Sequence, residues 1–468
     1  MQIVFYRAQQ RVTMKVKISI AIVVVILACF AYLRNSSKIE GQSAAQKAAY
    51  VMENNGCLAC HDYDAKAPWY AKLPFASSLI TGDIMYATRS IDLRSVVNNL
   101  KANKPVTEVD LNKIEYAVKA NTMPPFAYSI AHWSSHLTAA EKDALLAWVS
   151  EARAEYVKNS DAAKEFKNEP VSPLAPAPKV DERKVKLGYA LYNDKRLSAD
   201  DTVSCATCHN LETGGVDRLQ YSKGIKGQLG GVNAPTVFNA TFHHRQFWDG
   251  RAANLEEQAG GPPLNPVEMG STSWDQICAK LNKDEKFKKE FTAVYPDGFS
   301  GKNICDAIAE FERTLVTPNA RFDKYLRGDK TALTADEIRG YELFKAAKCA
   351  NCHAGANLGG LTFEYMGVLK DYFADRGNVT DADKGLYNFQ KDDKNIGKFK
   401  VPTLRNVELT PPYFHDGTVT SLKEAAAHMV KYQAGVKLSE QDIEDIVKFL
   451  YTLTGEYNGK PLSQNSKK

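Results

Sequence analysis

Residues 204–209 read Ser-Cys-Ala-Thr-Cys-His, and the same spacing of two cysteines and a histidine recurs at residues 57–61 and 349–353. In a Cys-x-x-Cys-His pattern both thiols bond to haem vinyl groups, and the histidine lies under the iron as an axial ligand. A zinc or redox Cys-x-x-Cys site does not require a histidine at the same offset each time. The pattern predicts three covalently bound haem c groups, attached at Cys57, Cys60, Cys205, Cys208, Cys349 and Cys352, with His61, His209 and His353 as iron ligands.

Length and composition indicate a globular protein of several domains. The chain has 468 residues, which is too long for one ordinary core. Hydrophobic residues make up 44% and charged residues 25%, so the chain is neither disordered nor fibrous. A net charge of +5 gives no signal for nucleic-acid binding.

Helical patterns surround the haem motifs, and strand patterns are almost absent. Aromatic-bearing stretches precede the second and third motifs, at residues 188–192 and 340–344. Capping-box starts at Thr138, Thr334 and Ser439 predict further helices. We therefore expect a mainly α fold, with three class-I-cytochrome-c-like haem domains in tandem after an N-terminal membrane anchor.

A proline-rich stretch and the motif spacing give the expected domain boundaries. Residues 168–182 hold four prolines without hydrophobic periodicity, which is typical of a semi-rigid linker. Residues 362–400 are rich in Asp, Lys, Gly and Asn, and we interpret them as a long surface loop. The expected parts are an N-terminal signal anchor at 1–40, a monohaem cytochrome c domain at 41–165, a linker at 166–180, a second haem domain at 181–330 and a third at 331–468.

The N-terminus predicts export. Arg7, Arg11, Lys15 and Lys17 precede an apolar run at residues 18–33. Basic residues before an apolar core are typical of a signal or an anchor that keeps its positive end inside. We favour an anchor; a lipid anchor at Cys29 or a cleaved signal starting at Met14 are the alternatives. Each places the haem domains in the periplasm, and an anchor attaches them to the inner membrane.

Cys278 and Cys305 lie outside the haem motifs, in two helix-like segments. In an oxidising compartment they could form a disulfide. The alternative is that both are small buried residues.

The second iron ligand separates an electron carrier from a reactive haem, because an open position can bind a small molecule. In the first domain Met123 lies on a proline-stiffened loop and fits His/Met ligation. Its competitors are Met52, Met85, His132 and His136. In the third domain Met429 competes with the adjacent His428, and only one of the two can face a haem from a helix.

The second domain offers no equally convincing ligand. Met269, His243 and His244 are available, but the two histidines also fit a packing or surface role. Residues 246–269 read QFWDGRAANLEEQAGGPPLNPVEM and carry Gln258 and Glu268 on a proline-stiffened segment. This combination predicts a reactive haem site.

From about residue 181 to 455 the chain resembles the bacterial dihaem cytochrome c peroxidases. The resemblance rests on the motifs SCATCH, NAPTVFNATF, QFWDGRAANLEEQAGGPP, NPVEM, CANCH and LRNVELTPPYFHDGTVTSL, followed by Met429. The extra N-terminal haem domain and anchor are similar to the trihaem, membrane-anchored quinol peroxidases.

The resemblance implies a role for each matching residue. His209 would be the proximal ligand of the peroxidatic haem, in the domain at 181–330, and Gln258 and Glu268 would handle peroxide. Trp248 would lie between the two C-terminal haems. His353 and Met429 would ligate the electron-transferring haem, in the domain at 331–468. Calcium would bind at Asn233, Thr410 and Pro412.

One position departs from many members of the family. They carry a distal histidine in the loop before NAPT, which blocks the peroxidatic haem until the other haem is reduced. The matching residue here is Ile225. We therefore expect no reductive activation, unless His243 or His244 substitutes as a ligand.

The expected function is reduction of H2O2 to water by a periplasmic-facing peroxidase. Electrons would pass through three haems from membrane quinol, either ubiquinol or menaquinol. The alternatives are a small soluble cytochrome c as donor, or a multihaem electron carrier without catalysis. In the related enzymes that oxidise residues of a partner protein, a tyrosine replaces the residue at Met429, so Met429 favours a peroxidase.

Overall fold

The computed structural model of the chain describes residues 16–25, 38–74, 76–125, 128–129, 132 and 135–463. The fold is mainly helical, which confirms the prediction. Residues 16–25 are helical, but no helix within the described ranges is long and apolar enough to cross a membrane. Residues 26–33 of the apolar run, with Cys29, lie outside these ranges, as does Met14, so the anchor stays a prediction.

The chain divides into two compact units. The first comprises the chain up to Val106 and the segment Ile114–Ala152. The second comprises Thr107–Lys113 and the chain from Arg153 onward. The first haem motif belongs to the first unit, whereas the second and third motifs share the second unit.

The predicted linker, residues 166–180, lies within the second unit. Val171 and Leu174 are buried there. The backbone N–H of Leu174 donates to the carboxylate of Asp323 at 3.0 Å. This part of the segment is therefore packed against its unit, while the exact domain boundaries stay predictions.

The first unit is built from helices around its haem motif. An aspartate caps one of them, because the Asp92 carboxylate accepts the backbone N–H groups of Arg94 and Ser95. This helix buries one face, formed by Leu93, Val96, Val97 and Leu100 at helical spacing. Besides the helical residues 16–25, the helices are α1 (Ala44–Asn54), α2 (Ala76–Ser90), α3 (Leu93–Lys101), α4 (Glu108–Lys119, whose first residues belong to the second unit) and α5 (Ala139–Tyr156, whose last residues belong to the second unit).

The second unit contains the remaining helices. In its first half these are α6 (Glu182–Tyr192), α7 (Cys205–Cys208), α8 (Leu255–Gly260), α9 (Trp274–Leu281), α10 (Glu285–Thr292) and α11 (Gly301–Glu312). In its second half they are α12 (Arg321–Leu326), α13 (Ala335–Ala346), α14 (Tyr372–Arg376), α15 (Tyr387–Gln390), α16 (Leu422–Met429) and α17 (Glu440–Tyr451).

Two antiparallel pairs of short strands complete the described fold. β1 (Phe363–Tyr365) pairs with β2 (Lys398–Lys400), and β3 (Glu456–Tyr457) pairs with β4 (Lys460–Pro461). The predicted surface loop at 362–400 is therefore wrong in part. Its ends form the first sheet, and it buries Tyr372 and Phe399, because aromatic residues anchor a segment whose overall composition is polar.

The two halves of the second unit repeat one packing arrangement. α6 crosses α11 at Gly188, where an added Cβ would lie 1.9 Å from the carbonyl oxygen of Ala307. α13 crosses α17 at Gly340, where an added Cβ would lie 1.9 Å from the carbonyl oxygen of Asp445. In both halves a glycine allows the helix before the haem motif to touch the last helix of that half.

The predicted helix starts are confirmed. Thr334 and Ser439 form capping boxes at the starts of α13 and α17. At α5 the Thr138 hydroxyl accepts from the backbone N–H of Glu141 at 3.3 Å, and the Glu141 carboxylate accepts from the backbone N–H of Thr138 at 2.8 Å. Side-chain oxygens thus satisfy N–H groups that have no partner within the helix.

Cys278 and Cys305 are not bridged. Both are free thiols, on α9 and α11. Cys305 is buried in an apolar cluster and Cys278 packs against the same cluster. The structure therefore supports the packing alternative and not the disulfide.

Candidate functional site

Each haem motif forms a single helical turn. The backbone N–H of the histidine donates to the carbonyl of the first cysteine at 3.1 Å for His61, 2.9 Å for His209 and 3.0 Å for His353. A turn of this kind places the two thiols and the imidazole within one short segment. This geometry fits covalent attachment of haem together with axial ligation.

All three motif histidines bond a backbone carbonyl through Nδ1. His61 Nδ1 lies 3.1 Å from the Ala87 oxygen, His209 Nδ1 lies 3.3 Å from Gly215 and His353 Nδ1 lies 3.1 Å from Leu358. A carbonyl only accepts, so Nδ1 carries the hydrogen and Nε2 keeps a lone pair. The rings are therefore held in the tautomer that a metal needs.

Burial keeps these rings neutral. It lowers the pKa of His61 and of His209 below the usual histidine value, and it lowers the pKa of His353 to about 4. A neutral imidazole is the form that ligates iron. The residues present therefore fit haem at all three motifs.

In the first unit, Met123 stands apart from its competitors. Its side chain is half-buried, whereas Met52 is buried in α1 and Met85 is exposed on α2. His132 uses both ring nitrogens, at 3.2 Å from the Tyr128 carbonyl and 3.1 Å from the Tyr70 hydroxyl. His136 is exposed. These placements favour Met123, whose ligation stays a prediction.

In the second unit, Met429 ends α16 and its side chain is half-buried. The neighbouring His428 ring lies parallel to Phe414, with ring centroids 6.1 Å apart, and edge-on to Tyr372 and Tyr432. Its Nδ1 is buried and has no hydrogen-bond partner. His428 is thus packed among aromatic rings, and ligation of the iron by Met429 stays a prediction.

Around the second motif, Met269 is a core residue. It is buried in an apolar cluster with Ile225, Ala259 and Ile277. Ile225, at the position where the resemblance predicts a missing distal histidine, donates its backbone N–H to the Glu268 carbonyl at 2.9 Å. The loop that carries Ile225 is therefore packed directly onto the segment that carries Glu268.

His243 and His244 differ in tautomer. His244 Nδ1 lies 2.8 Å from the Gly360 carbonyl, so its Nε2 keeps a lone pair. His243 Nδ1 lies 3.2 Å from the ammonium nitrogen of Lys400. Because an ammonium group only donates, Nδ1 of His243 accepts and its Nε2 carries the hydrogen. In His243 the nitrogen through which the motif histidines would ligate iron is therefore protonated, and the other nitrogen is used by Lys400.

Glu268 is a partly buried carboxylate in a fixed position. Asn265 donates from Nδ2 to Glu268 Oε1 at 2.8 Å. Burial raises the pKa of Glu268, and the nearby charge of Arg251 opposes this rise. The pKa of the Cys208 thiol is raised first by burial and also by the charge of Glu268. The predicted acid–base residue thus lies near the second haem attachment site.

Gln258 lies on α8, in the same stretch of chain. Asn254 caps this helix, because its side chain accepts the backbone N–H of Glu257 at 2.9 Å. The Gln258 side chain is half-buried, and its amide makes no hydrogen bond to any part of the chain that the structure describes. The amide is therefore free to donate to a bound molecule.

Trp248 joins the two halves of the second unit. Its indole N–H donates to the Asn233 carbonyl at 2.9 Å, and its carbonyl accepts the backbone N–H of Lys400 at 2.9 Å. Its ring lies edge-on to Phe399 and His415, with centroids 6.5 and 6.4 Å apart. The residue thus links the segment after the second motif to segments of the third haem region, as its predicted role requires.

The predicted calcium residues lie at the same junction. Asn233 donates its backbone N–H to the His415 carbonyl at 2.8 Å, which brings it to the segment that carries Thr410 and Pro412. The Asn233 side chain donates from Nδ2 to the Leu219 carbonyl at 2.8 Å, so its Oδ1 remains able to accept. Among the described residues no group of three His, Cys, Asp or Glu side chains could hold a metal. A site here would depend on amide and carbonyl oxygens, which suit calcium.

Asn265 positions Glu268, which its place in the sequence alone did not indicate. Asn265 also accepts the backbone N–H of Val267 through Oδ1 at 2.9 Å. Such a local turn is characteristic of an asparagine before a proline. The Asn-Pro pair at residues 265–266, three residues before Glu268, was the available signal.

Family models cover most of the chain. The model described as di-haem cytochrome c peroxidase matches residues 182–331. A haem-binding domain model matches residues 22–151, and a cytochrome c model matches residues 338–454. Each match contains one of the three haem motifs.

Comparison with individual proteins also finds cytochrome c peroxidases. The chain is 50% identical over 425 residues to "Cytochrome c peroxidase Ccp" of Escherichia coli, covering 89% of this chain and 91% of that protein. It is 44% identical over 297 residues to the cytochrome c551 peroxidase of Nitrosomonas europaea, covering 62% of this chain and 85% of that protein.

A solved structure also matches. It is the crystal structure of a MauG-like protein associated with microbial copper homeostasis. The TM-score is 0.53 and the sequence identity 31%, covering 61% of this chain and 93% of that one.

Proposed function

Because the chain belongs to the di-haem cytochrome c peroxidase family, we propose that it reduces hydrogen peroxide to water, H2O2 + 2e⁻ + 2H⁺ → 2H2O, with electrons from membrane quinol. The observation that carries the proposal is Glu268, a partly buried carboxylate held by Asn265 near the haem-attaching Cys208.

Haem supplies the position that binds peroxide and the redox capacity of the reaction. His209 would hold the iron at the reactive site. His61 with Met123, and His353 with Met429, would hold the two haems that relay electrons. The three motifs of this chain would hold three haems, whereas members of the di-haem family share two.

Glu268 would move the proton. Breaking the O–O bond heterolytically requires transfer of a proton from the near oxygen of peroxide to the leaving oxygen, and a carboxylate within hydrogen-bond reach acts first as base and then as acid. The raised pKa of Glu268 brings its acid form closer to neutral pH, which helps the second step. Gln258 would donate an amide hydrogen to peroxide without titrating.

Replacement of the carboxylate tests this assignment. Glu268→Gln keeps the shape but cannot accept a proton, so we expect turnover to fall about 10²–10⁴-fold. Steady-state peroxide reduction is the measurement, with haem spectra confirming an intact site. Glu285→Gln, at an exposed carboxylate in the same half, is the matched control. Full activity in Glu268→Gln would refute the catalytic role, and no turnover in the wild type would favour a plain electron carrier.

The haem domains would lie in the periplasm, attached to the inner membrane by the N-terminus. Covalent haem and the basic-then-apolar N-terminal sequence support this placement. Membrane quinol would then be within reach as donor, and a small soluble cytochrome c is the alternative. Peroxide reduction with ubiquinol, menaquinol and reduced cytochrome c compared side by side tests the donor. A rate with cytochrome c far above both quinols would overturn the quinol proposal.

The enzyme would need no reductive activation. Ile225 cannot ligate iron, and its loop is packed onto Glu268 by the hydrogen bond from the Ile225 N–H. We expect fully oxidised protein to turn over peroxide without a lag, as measured by stopped-flow mixing with donor. A lag that pre-reduction abolishes would contradict this, as would a bis-histidine spectrum of the oxidised reactive haem.

A further inference from the structure

Lys400 is a buried cation without a counter-ion. Lys400 is the last residue of β2, and it is only 4% exposed. No carboxylate within the described residues pairs with it, and its ammonium contacts only the neutral ring of His243, at 3.2 Å. Burial lowers the pKa of Lys400 to about 8. Burying an unpaired charge in an apolar interior costs free energy, so we expect Lys400 to have an anionic partner.

His243 presents a second unsatisfied donor. Its Nδ1 accepts from Lys400, so Nε2 carries the hydrogen, and this atom is buried and has no hydrogen-bond partner. Burial, together with the charge of Lys400, holds the pKa of His243 well below the usual histidine value, although a hydrogen-bond interaction with the neutral Gln246 side chain raises it. The Gln246 amide donates to the Ala240 carbonyl at 3.0 Å. The ammonium of Lys400 and the Nε2–H of His243 are therefore two adjacent donors without an anionic acceptor among the described residues.

Both residues lie against the segments that hold His353. A Cβ added at Gly360 would lie 2.3 Å from the His243 ring. Gly360 follows Leu358, whose carbonyl accepts from His353 Nδ1 at 3.1 Å. On the other side, the carbonyl of Pro402, two residues after Lys400, also influences His353. The pocket is thus formed by the same two stretches of chain that fix this iron ligand.

We propose that Lys400 and His243 bind a propionate carboxylate of the haem attached at Cys349 and Cys352. This inference rests on the proposed function, because it requires haem at the third motif. The two propionates are the only anionic groups that the haem itself brings. A carboxylate accepts from both an ammonium and a ring N–H, so it would supply the missing charge and the missing acceptor.

Removing the positive charge of Lys400 tests the proposed propionate site. In Lys400→Met the propionate would lose its counter-ion and stabilise the oxidised iron. At an effective dielectric constant of about 20, a charge at roughly 10 Å changes an equilibrium on the order of tenfold. We expect the reduction equilibrium of the His353 haem to shift about tenfold toward the oxidised form, or about 59 mV for one electron. Spectroelectrochemical titration of the full chain measures this shift.

Two variants control the measurement. Lys400→Arg keeps the charge and should restore a potential near that of the wild type. Lys370→Met removes an exposed lysine of the same half and should leave the potential unchanged. If Lys400→Met does not retain haem, Lys400→Gln replaces it as the neutral variant. Resonance Raman of the wild type gives an independent test, since its propionate band should show a strongly hydrogen-bonded carboxylate.

The outcomes separate this inference from the proposed function. An unchanged potential in a neutral variant that holds three haems and turns over peroxide would overturn the inference and leave the peroxidase intact. A shift confined to the His209 haem would overturn the assignment to the third motif. A wild-type potential that depends on acetate concentration would assign the pocket to a free carboxylate instead. Absence of peroxide turnover in the wild type would sink the function itself, whatever the potential shows.

Discussion

The position of one hydrogen atom on a neutral imidazole ring decides which of its two nitrogens can bind iron. The three motif histidines donate from Nδ1 to backbone carbonyls, whereas His243 accepts from Lys400 at the same atom. All four are at least half-buried, and their residue type is the same. The bonded neighbour therefore sets their role, since it fixes which nitrogen keeps the lone pair.

At Glu268, two opposing effects set the pKa. Burial raises it and the positive charge of Arg251 lowers it, so Arg251→Gln should raise it further. The base must be ionised to accept a proton, so activity is lost as pH falls through this pKa. We therefore expect the acid limb of the kcat/KM profile for peroxide to move to higher pH in Arg251→Gln.

Arg183→Gln is the control for this shift, because Arg183 pairs with Asp181 at 2.8 Å and is largely exposed. Its profile should match that of the wild type. An unmoved acid limb in Arg251→Gln would show that another group controls the proton transfer.

At the scale of elements, the two helix crossings in the second unit depend on the absence of a side chain. Gly188 on α6 and Gly340 on α13 occupy the same place in the Gly-Tyr stretches before the second and third motifs. A helix interior normally disfavours glycine by about 1 kcal/mol relative to alanine. These positions accept that cost because the facing backbone would leave no room for a Cβ.

Alanine at either crossing should therefore destabilise the protein. We expect Gly188→Ala and Gly340→Ala each to lower the free energy of unfolding by about 1–3 kcal/mol or more, because the facing carbonyl is backbone and cannot rotate away. Urea unfolding followed by circular dichroism and haem absorbance measures the change. Gly82→Ala is the matched control, since nothing lies within 4 Å of an added Cβ there, and it should be neutral or stabilising. Equal stability of all three variants would contradict the close crossings.

At the scale of the whole molecule, Asn233 and Trp248 are among the residues through which the two halves of the second unit meet. Asn233 donates to the His415 carbonyl and accepts from the Trp248 indole. Because Trp248 also bonds Lys400 of β2, any movement of the junction would move the residue proposed to lie between the two haems. The predicted calcium residues lie in these same segments.

Removal of calcium should therefore loosen the junction. We expect treatment with EGTA to lower peroxide turnover reversibly, with recovery on adding Ca²⁺ but not Mg²⁺, because amide and carbonyl oxygens in flexible geometry suit calcium. Turnover assays before and after chelation measure this. Activity that is indifferent to EGTA, in protein shown by elemental analysis to hold no calcium, would show that the predicted calcium site is wrong.

The sequence predicted the features that depend on local spacing. Three Cys-x-x-Cys-His motifs, the mainly helical fold and the capped helix starts all follow from residues a few positions apart. The prediction of a surface loop at 362–400 was wrong in part, because the segment is polar overall but contains aromatic residues that are buried in the fold. Whether Cys278 and Cys305 form a disulfide stayed open from the sequence, since pairing depends on how two helices pack against each other.

The sequence by itself determined where the three Cys-x-x-Cys-His motifs lie, which residues precede them on helices, and which carboxylate and amide are the candidates for handling peroxide. Only the tertiary structure decided the tautomers of the histidines, the support of Glu268 by Asn265 and the isolation of Lys400 in the interior. The physical reason is the range of the interactions. Covalent attachment and capping act within one or two helical turns, whereas burial and hydrogen bonding join groups from distant parts of the chain and so set the charge that each group carries.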